Sequence, residues 1–339
     1  MKINRQQFLG CLDTASLAIS ARGVIDQSNC LIFKNGRLLT YDGDVRIDVP
    51  GIDGVAGAIP SAGLIDLVKK IPDAEIEVRQ ESDGELIIEG KNKKAAIRSE
   101  QSIVMDLSDI PIPTKWGSFR DGIMNHIRRA AETCGVDDTW GAATCVHITK
   151  DLIEASDNFR LFRWEGKTGF REEIFLPAHS IYLLSDFAPT EFAAAGGWCH
   201  FKANGAILSM RGKLLDSYPD MASLCTDEGA EVTLPTTLSK IIGRASITAD
   251  GKGYQMKISV DLRAGKGRIK SSNEYGWYRE TFALKYEGPD LSFDVHPTIL
   301  WEIVQFSPKV TVGDSRILAK IEGAILVIAL RVREKDEHE

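Results

Sequence analysis

Three groupings of residues in this chain have types and spacings suited to chemistry, and each stops short of a working centre. The run 165–169 reads EGKTG and contains the Gly-Lys-Thr of a phosphate-cradling loop. Such a loop needs a further glycine five residues before Gly166, and that position is Leu161. Cys145 with His147, and Cys199 with His200, are pairs of metal donors, but no second Cys or His pair stands at ligand spacing to complete a set of four. A Gly-x-Ser-x-Gly nucleophile turn is absent, and the carboxylates of DAEIEVRQESDGELIIEG alternate as on the solvated face of a strand. The expectation is a protein that is not an enzyme and has no cofactor and no metal. The other chemistry-bearing set is basic: Arg5, Arg120, Arg128, Arg129, Lys240 and Arg244 lie in or beside helix-like segments, and Lys69 with Lys70 ends another. Cations grouped this way are a solvated face or a site for phosphates.

The elements that position these residues repeat. FLGCLDTA, IMNHIRRA and LSKIIGRA end at Ala15, Ala130 and Ala245, equal steps of 115 residues. A second apolar helix is announced by proline at Pro60, Pro177 and Pro297, steps of 117 and 120; proline suits the first helical position, whose N–H has no partner anyway. Between them CLIFKNGRLLTY, VHITKDLIEA, QMKISVDLRAGKGRIKSS and KVTVGDSRILAKI alternate with period two, as strands do. Asn35-Gly36 and Asp83-Gly84 sit where tight hairpins need a positive φ. Helix, hairpins, helix, hairpins thus recurs three times in 339 residues. The implied domains are 1–115, 116–234 and 235–339, divided after the proline-bearing stretches near Lys115 and Leu234. Strands with only two helices per unit argue an α+β class, a helix pair packed on antiparallel sheet.

Composition bounds the rest. Hydrophobic residues make up 43% and charged residues 26% of the chain, which excludes disorder as its main state. Its 41 basic against 48 acidic residues give a net charge of −7, against a surface that adheres everywhere to nucleic acid. No apolar run reaches the length of a membrane span, the start has no signal-peptide pattern, and the six cysteines form no disulfide framework; a cytoplasmic protein with reduced thiols and no membrane partner is expected. Three units in a row leave unpaired edge strands at both ends, and head-to-tail pairing of two chains closes a ring of six units.

Taken in order, SARG, DNFRLF, FLPAHSIYLL, GKLLDSYPD, GRASITAD and the closing ILVIALRV resemble the bacterial sliding clamp, the β subunit of DNA polymerase III, in a shortened and divergent form such as a phage encodes. The resemblance covers essentially the whole chain. It implies a homodimeric ring that encircles double-stranded DNA without regard to sequence, is placed there by a clamp loader, and tethers the replicative DNA polymerase. It also adds Arg22 to the DNA-facing residues Arg5, Lys69, Lys70, Arg120, Arg128, Arg129, Lys240 and Arg244.

The family's partner-peptide pocket maps onto Ser156, Asn158 and Leu161, onto Pro219, Ser223 and Leu224, and onto Leu326, Ile328, Leu330 and Arg331. The dimer interface maps onto Ile103 and Met105 at one end and Ile247 and Thr248 at the other. Departures are visible: Ser223 replaces a family arginine, Asn158 stands where glycine is usual, IALRV replaces a methionine-rich ending, and the acidic tail REKDEHE follows Val332. A different function on the same fold is a decoy or adaptor that captures polymerase or repair factors without encircling DNA.

Overall fold

The computed structural model describes residues 1–20, 25–106, 110–226 and 228–331. By contact density the chain forms two compact units, Met1–Ile123 with Gly169–Leu214, and Met124–Thr168 with Leu215–Glu339. The stretch 116–234 therefore alternates between the units, with 116–123 and 169–214 in the first and 124–168 and 215–234 in the second.

In the first unit, eight strands run in the order Gly57–Pro60, Cys30–Lys34, Arg37–Tyr41, Val45–Pro50, Ala206–Arg211, Trp198–Ala203, Glu191–Ala195 and Gly117–Ser118, each antiparallel to its neighbour. A four-stranded sheet places Lys2–Asn4, Glu75–Gln80, Leu86–Gly90 and Lys93–Ile97 side by side. Helices Arg5–Ser16 and Ser61–Lys70 pack against one another. In the second unit the strands Cys145–Ile148, Leu152–Ser156, Arg160–Glu165, Ala324–Ala329, Arg316–Ile321, Lys309–Val312 and Ala230–Thr233 follow in that order. A separate sheet runs Gly276–Ala283, Lys266–Asn273, Ile258–Arg263, Leu291–Val295. Helices Leu238–Ala245 and Pro297–Phe306 pack together, and Ile123–Thr133 is the third helix of this half. The α+β class expected from the sequence is what the structure has.

The repeated alanines have a steric and a polar reason. Ala15, Ala130 and Ala245 are all completely buried, where a larger side chain has no room. The Ala15 carbonyl accepts from Thr40 Oγ1 at 2.6 Å, and the Ala245 carbonyl accepts from Ser271 Oγ at 2.8 Å. A strand hydroxyl thus gives a side-chain donor to a carbonyl in the last turn of the helix, where the regular ladder of backbone bonds runs out. The prolines behave less uniformly. Pro297 occupies the first turn, whereas Pro60 and Pro177 stand just before their helices. The helix after Pro177 is two short pieces, Ala178–Ile181 and Leu183–Phe187. Asn35 and Gly36 have φ of 53° and 70°, the pair of left-handed residues a two-residue hairpin requires.

The strands alternate as their sequences do. Along Arg37–Tyr41 the even positions turn toward helix Arg5–Ser16, as the Thr40 bond shows, so Arg37, Leu39 and Tyr41 lie on the face turned away from it. On that outer face the segment around Met105 and Ile110 packs over Ile32, Leu39, Tyr41 and Trp198. In the second unit Phe162 meets Phe306 of helix Pro297–Phe306, so Leu161 and Arg163 point to the opposite face. There Met221, Tyr218 and Cys225 cover Leu161, Leu318 and Val327. Each unit therefore has a strip of chain laid across the helix-free face of its sheet.

Candidate functional site

The chemistry-bearing groupings of the sequence have ordinary roles. Lys167 Nζ meets Asp151 Oδ1 at 2.5 Å and Thr168 Oγ1 donates to the Thr149 carbonyl at 2.5 Å, so the Gly-Lys-Thr segment is tied to a neighbouring turn and no helix follows it. His147 Nδ1 lies 2.9 Å from Glu154 Oε1, and His200 Nδ1 lies 2.8 Å from Ser209 Oγ. Burial raises the Cys199 thiol far above its ordinary value and leaves it inert. Among the described residues no group of three or more His, Cys, Asp or Glu side chains is placed to hold a metal ion.

The apolar site in the second unit is built across three strands. Leu161 stands opposite Val327, and Val327 opposite Leu318, so the three share one face. Met221 closes over them, with Tyr218, Cys225 and Ile325 partly buried at the margin. Two of the family-mapped residues fall elsewhere. Phe162 stands opposite Leu326 and Arg160 opposite Ile328, so Leu326 and Ile328 lie on the helix side and are core residues, 3% and 0% exposed. The correction is a one-residue offset: with a period of two, moving by one residue reverses the face. The residues that join Leu161 are Val327 and Ile325, which counting in twos along ILVIALRV from a paired Leu161 would have found.

Next to Leu161 on the same face Arg163 leads to two buried polar side chains, Glu154 and His147. Arg163 Nη1 reaches Glu154 Oε2 at 2.6 Å, Glu154 reaches His147, and the Tyr218 ring lies 4.7 Å from the His147 ring. Glu154 and His147 are 3% and 7% exposed, and these partners offset part of their desolvation. At the mouth, Asp157 Oδ1 accepts from the N–H groups of Phe159 and Arg160, and Ser156 Oγ donates to the Arg160 carbonyl at 2.8 Å. Asn158 has φ of 72°, which explains why asparagine can stand where glycine is usual. Arg160 ties the loop to helix Pro297–Phe306 through Asp157 and a two-oxygen contact with Glu302 at 2.7 and 2.5 Å.

Pro219, Ser223 and Leu224 are exposed on the covering strip. Leu330 is half-buried, its N–H bonded to the Ser315 carbonyl. The Arg331 guanidinium is bonded to the carbonyls of Tyr254 and Gln255, which commits it to a structural bond.

The basic residues divide into committed and free. Arg5 donates to the carbonyls of Asp73 and Val68, at the end of helix Ser61–Lys70. Arg244 makes a forked pair with Glu280, Lys69 pairs with Asp13 at 3.2 Å, and Arg129 lies 3.8 Å from Glu132. Lys70, Arg120, Arg128 and Lys240 have no ion pair among the described residues. Arg22 lies outside the described residues.

The edges also need one correction. Met105 is 7% exposed in the core cluster of its own unit, and Ile103 packs against that cluster. They are not edge residues: aliphatic side chains there serve the covering strip, a use the sequence pattern does not separate from an interface. Among the described residues the outer strands of the two four-stranded sheets are Lys2–Asn4 and Lys93–Ile97 in one and Gly276–Ala283 and Leu291–Val295 in the other. Ile247 is 77% exposed on the turn Ser246–Thr248, which packs beside Gly276–Ala283, and Thr248 Oγ1 bonds Ser271 Oγ at 2.8 Å. Tyr275 and Trp277, 86% and 73% exposed, stand at the start of the same strand.

No protein-family profile matches the sequence, and no curated protein matches it. Solved structures do match over nearly the full length. The chain resembles the beta chain of DNA polymerase III from Streptococcus pneumoniae TIGR4 at a TM-score of 0.84 and 17% identity, covering 98% of this chain and 99% of that one. It resembles the DNA polymerase sliding clamp of Bacillus subtilis at 0.82 and 18%, with the same coverage. A DnaN sliding clamp from Pseudomonas aeruginosa bound to griselimycin gives 0.83 and 14%, again over 98% and 99%. At these identities it is the course of the backbone that is shared, from end to end, and the chain has the fold of the bacterial sliding clamps.

Proposed function

We propose that this chain is a DNA sliding clamp, a processivity factor: two copies pair head to tail, close around duplex DNA, and hold a replicative polymerase on it without catalysing a reaction. The observation that carries this reading is the full-length likeness, 98% of the chain at a TM-score of 0.84. In this reading the chain is three tandem clamp domains, 1–115, 116–234 and 235–339, and the ring has six. It works in the cytoplasm and is placed on DNA by a clamp loader.

Two features support ring closure. The edges Lys93–Ile97 and Gly276–Ala283 both present unpaired backbone groups, the first with Lys93 and Lys94 and the second beside exposed Ile247, Tyr275 and Trp277. Pairing them satisfies the backbone and covers the apolar side chains. The sparse set of free cations suits sliding, because each neutralised phosphate adds affinity and its salt dependence. Lys70, Arg120, Arg128 and Lys240 are enough to centre a duplex without gripping it.

The apolar site of Leu161, Leu318 and Val327 is the candidate anchor for partner peptides, with Leu224 at its rim. A peptide that displaces part of the covering strip would place one aliphatic or aromatic side chain there, and a few such contacts carry most of the energy of an interface.

The test is topological. Fluorescently labelled protein incubated at high concentration with nicked circular plasmid, then passed through a sizing column, is expected to elute with the circle and to be lost once the plasmid is cut. Equal retention on circular and linear DNA, or a solution mass of one chain and not twice 37.3 kDa, overturns the reading.

A further inference from the structure

On the sheet that carries the Leu161 site, a groove of about 750 Å³ opens between the strands Ala230–Thr233, Lys309–Val312 and Arg316–Ile321 and the loop 285–288. We infer that it receives the acidic flank of the peptide whose apolar side chain is anchored at Leu161, so that a partner is selected by a carboxylate about three residues from its anchor. The inference rests on the reading of the Leu161 site as a peptide anchor. Every residue that lines the groove is described.

The register of the sheet sets the path. Leu161 stands opposite Val327, Val327 opposite Leu318, Leu318 opposite Thr311, and Thr311 opposite Glu231, a single row on the helix-free face. Leu318 belongs to the apolar cluster and also lines the groove, so the two are continuous. In the next row Lys320 stands opposite Ile325, and Lys309 opposite Thr233. Because Val310 stands opposite Ala319, the same register brings Lys309 opposite Lys320. Like charges directly opposite each other destabilise a sheet, and a carboxylate lying between them turns that cost into a gain. Lys285 lines the groove from the loop. All three lysines are exposed, and neither Lys285 nor Lys309 has an ion pair among the described residues.

Strand spacing fixes where the carboxylate must stand. Neighbouring strands lie about 4.8 Å apart, so the strand of Lys309 is roughly 10 Å from that of Val327, a span of about three extended residues. One strand further stands Glu231, and Glu287 lines the groove as well, so a long acidic run is repelled where a single carboxylate is held. A nucleic-acid strand fits less well, because both glutamates would face phosphates and the one ring in the groove, Tyr286, is 6% exposed.

The probe is a fluorescein-labelled octapeptide with two central leucines, two glycines on each side and a glutamate at either end. Fluorescence anisotropy on the full-length protein compares it with a twin that carries glutamines at the ends. Tighter binding of the glutamate peptide, about fivefold at low salt and lost at high salt, is expected. Lys309→Gln combined with Lys320→Gln should remove this preference and leave the affinity of the twin unchanged, while Lys309→Arg with Lys320→Arg should keep it. Leu224→Asp, at the rim of the apolar site, should weaken both peptides. The inference alone is overturned by equal affinity for the two peptides, by a preference that survives loss of both lysines, or by a single-stranded oligonucleotide that displaces the glutamate peptide at a lower concentration than unlabelled peptide does. Binding of neither peptide, or indifference of both to Leu224→Asp, overturns the anchor reading and the inference with it, so the two failures are told apart.

Discussion

Two faces of the molecule are built by one device and finished with different chemistry. In each unit a few side chains cover the helix-free side of a sheet: Met105 and Ile110 over Ile32 and Leu39, and Met221 and Tyr218 over Leu161 and Val327. In the first, Arg37 and the buried Arg46 share the one carboxylate of Asp48. In the second, Glu154 and His147 are buried beside Tyr218, and Glu154 has Arg163 as its guanidinium partner. Asp48 keeps a guanidinium partner when either arginine is lost, whereas the buried Glu154 depends on one.

The largest effect expected from this contrast is on stability. Arg163→Met leaves Glu154 buried with one partner fewer and should cost about 3–5 kcal/mol, whereas Arg46→Met leaves Asp48 still held by Arg37 and should cost about 1–2 kcal/mol. Urea midpoints of the two variants check this, and equal losses would erase the distinction. Next, Leu161→Ala should cost about 2–5 kcal/mol by opening a cavity under Met221, while Ile112→Ala, at an exposed position, should stay within about 0.5 kcal/mol. A smaller effect concerns acid. Burial, with Arg46 nearby, holds His200 down to about 4. The unfolded chain then binds the proton first, so His200 adds stability above its ordinary pKa that is lost as pH falls from about 6.5 toward 4. The loss is on the order of 3 kcal/mol at most, and His200→Asn should flatten that part of the urea midpoint against pH.

Much of the fold was legible because short-range physics sets it. Alanines at fixed spacing marked the close helix packing later seen at Ala15, Ala130 and Ala245, and Asn35-Gly36 announced its hairpin. Which residues share the face of Leu161 was not legible: Val327 and Ile325 do and Leu326 and Ile328 do not, since pairing register depends on strands more than 160 residues apart in the chain. The first-unit edge was missed for another reason. Ile103 and Met105 are apolar like an interface but belong to the strip, and one outer strand of the four-stranded sheet, Lys93–Ile97, is lysine and alanine. Arg244 was readable as a helix cation, yet the glutamate that neutralises it, Glu280, comes from a strand 36 residues on.

The bonds from Thr40 and Ser271 to the ends of two helices have a mechanical meaning. A helix held only by aliphatic contacts can roll about its long axis, because its neighbours slide without losing contact. One fastened at its last turn to the strand beneath has its azimuth locked, like a shaft with a key. Lys240 therefore keeps a constant heading from one moment to the next, and Thr40→Val or Ser271→Ala would loosen orientation before it loosened the fold.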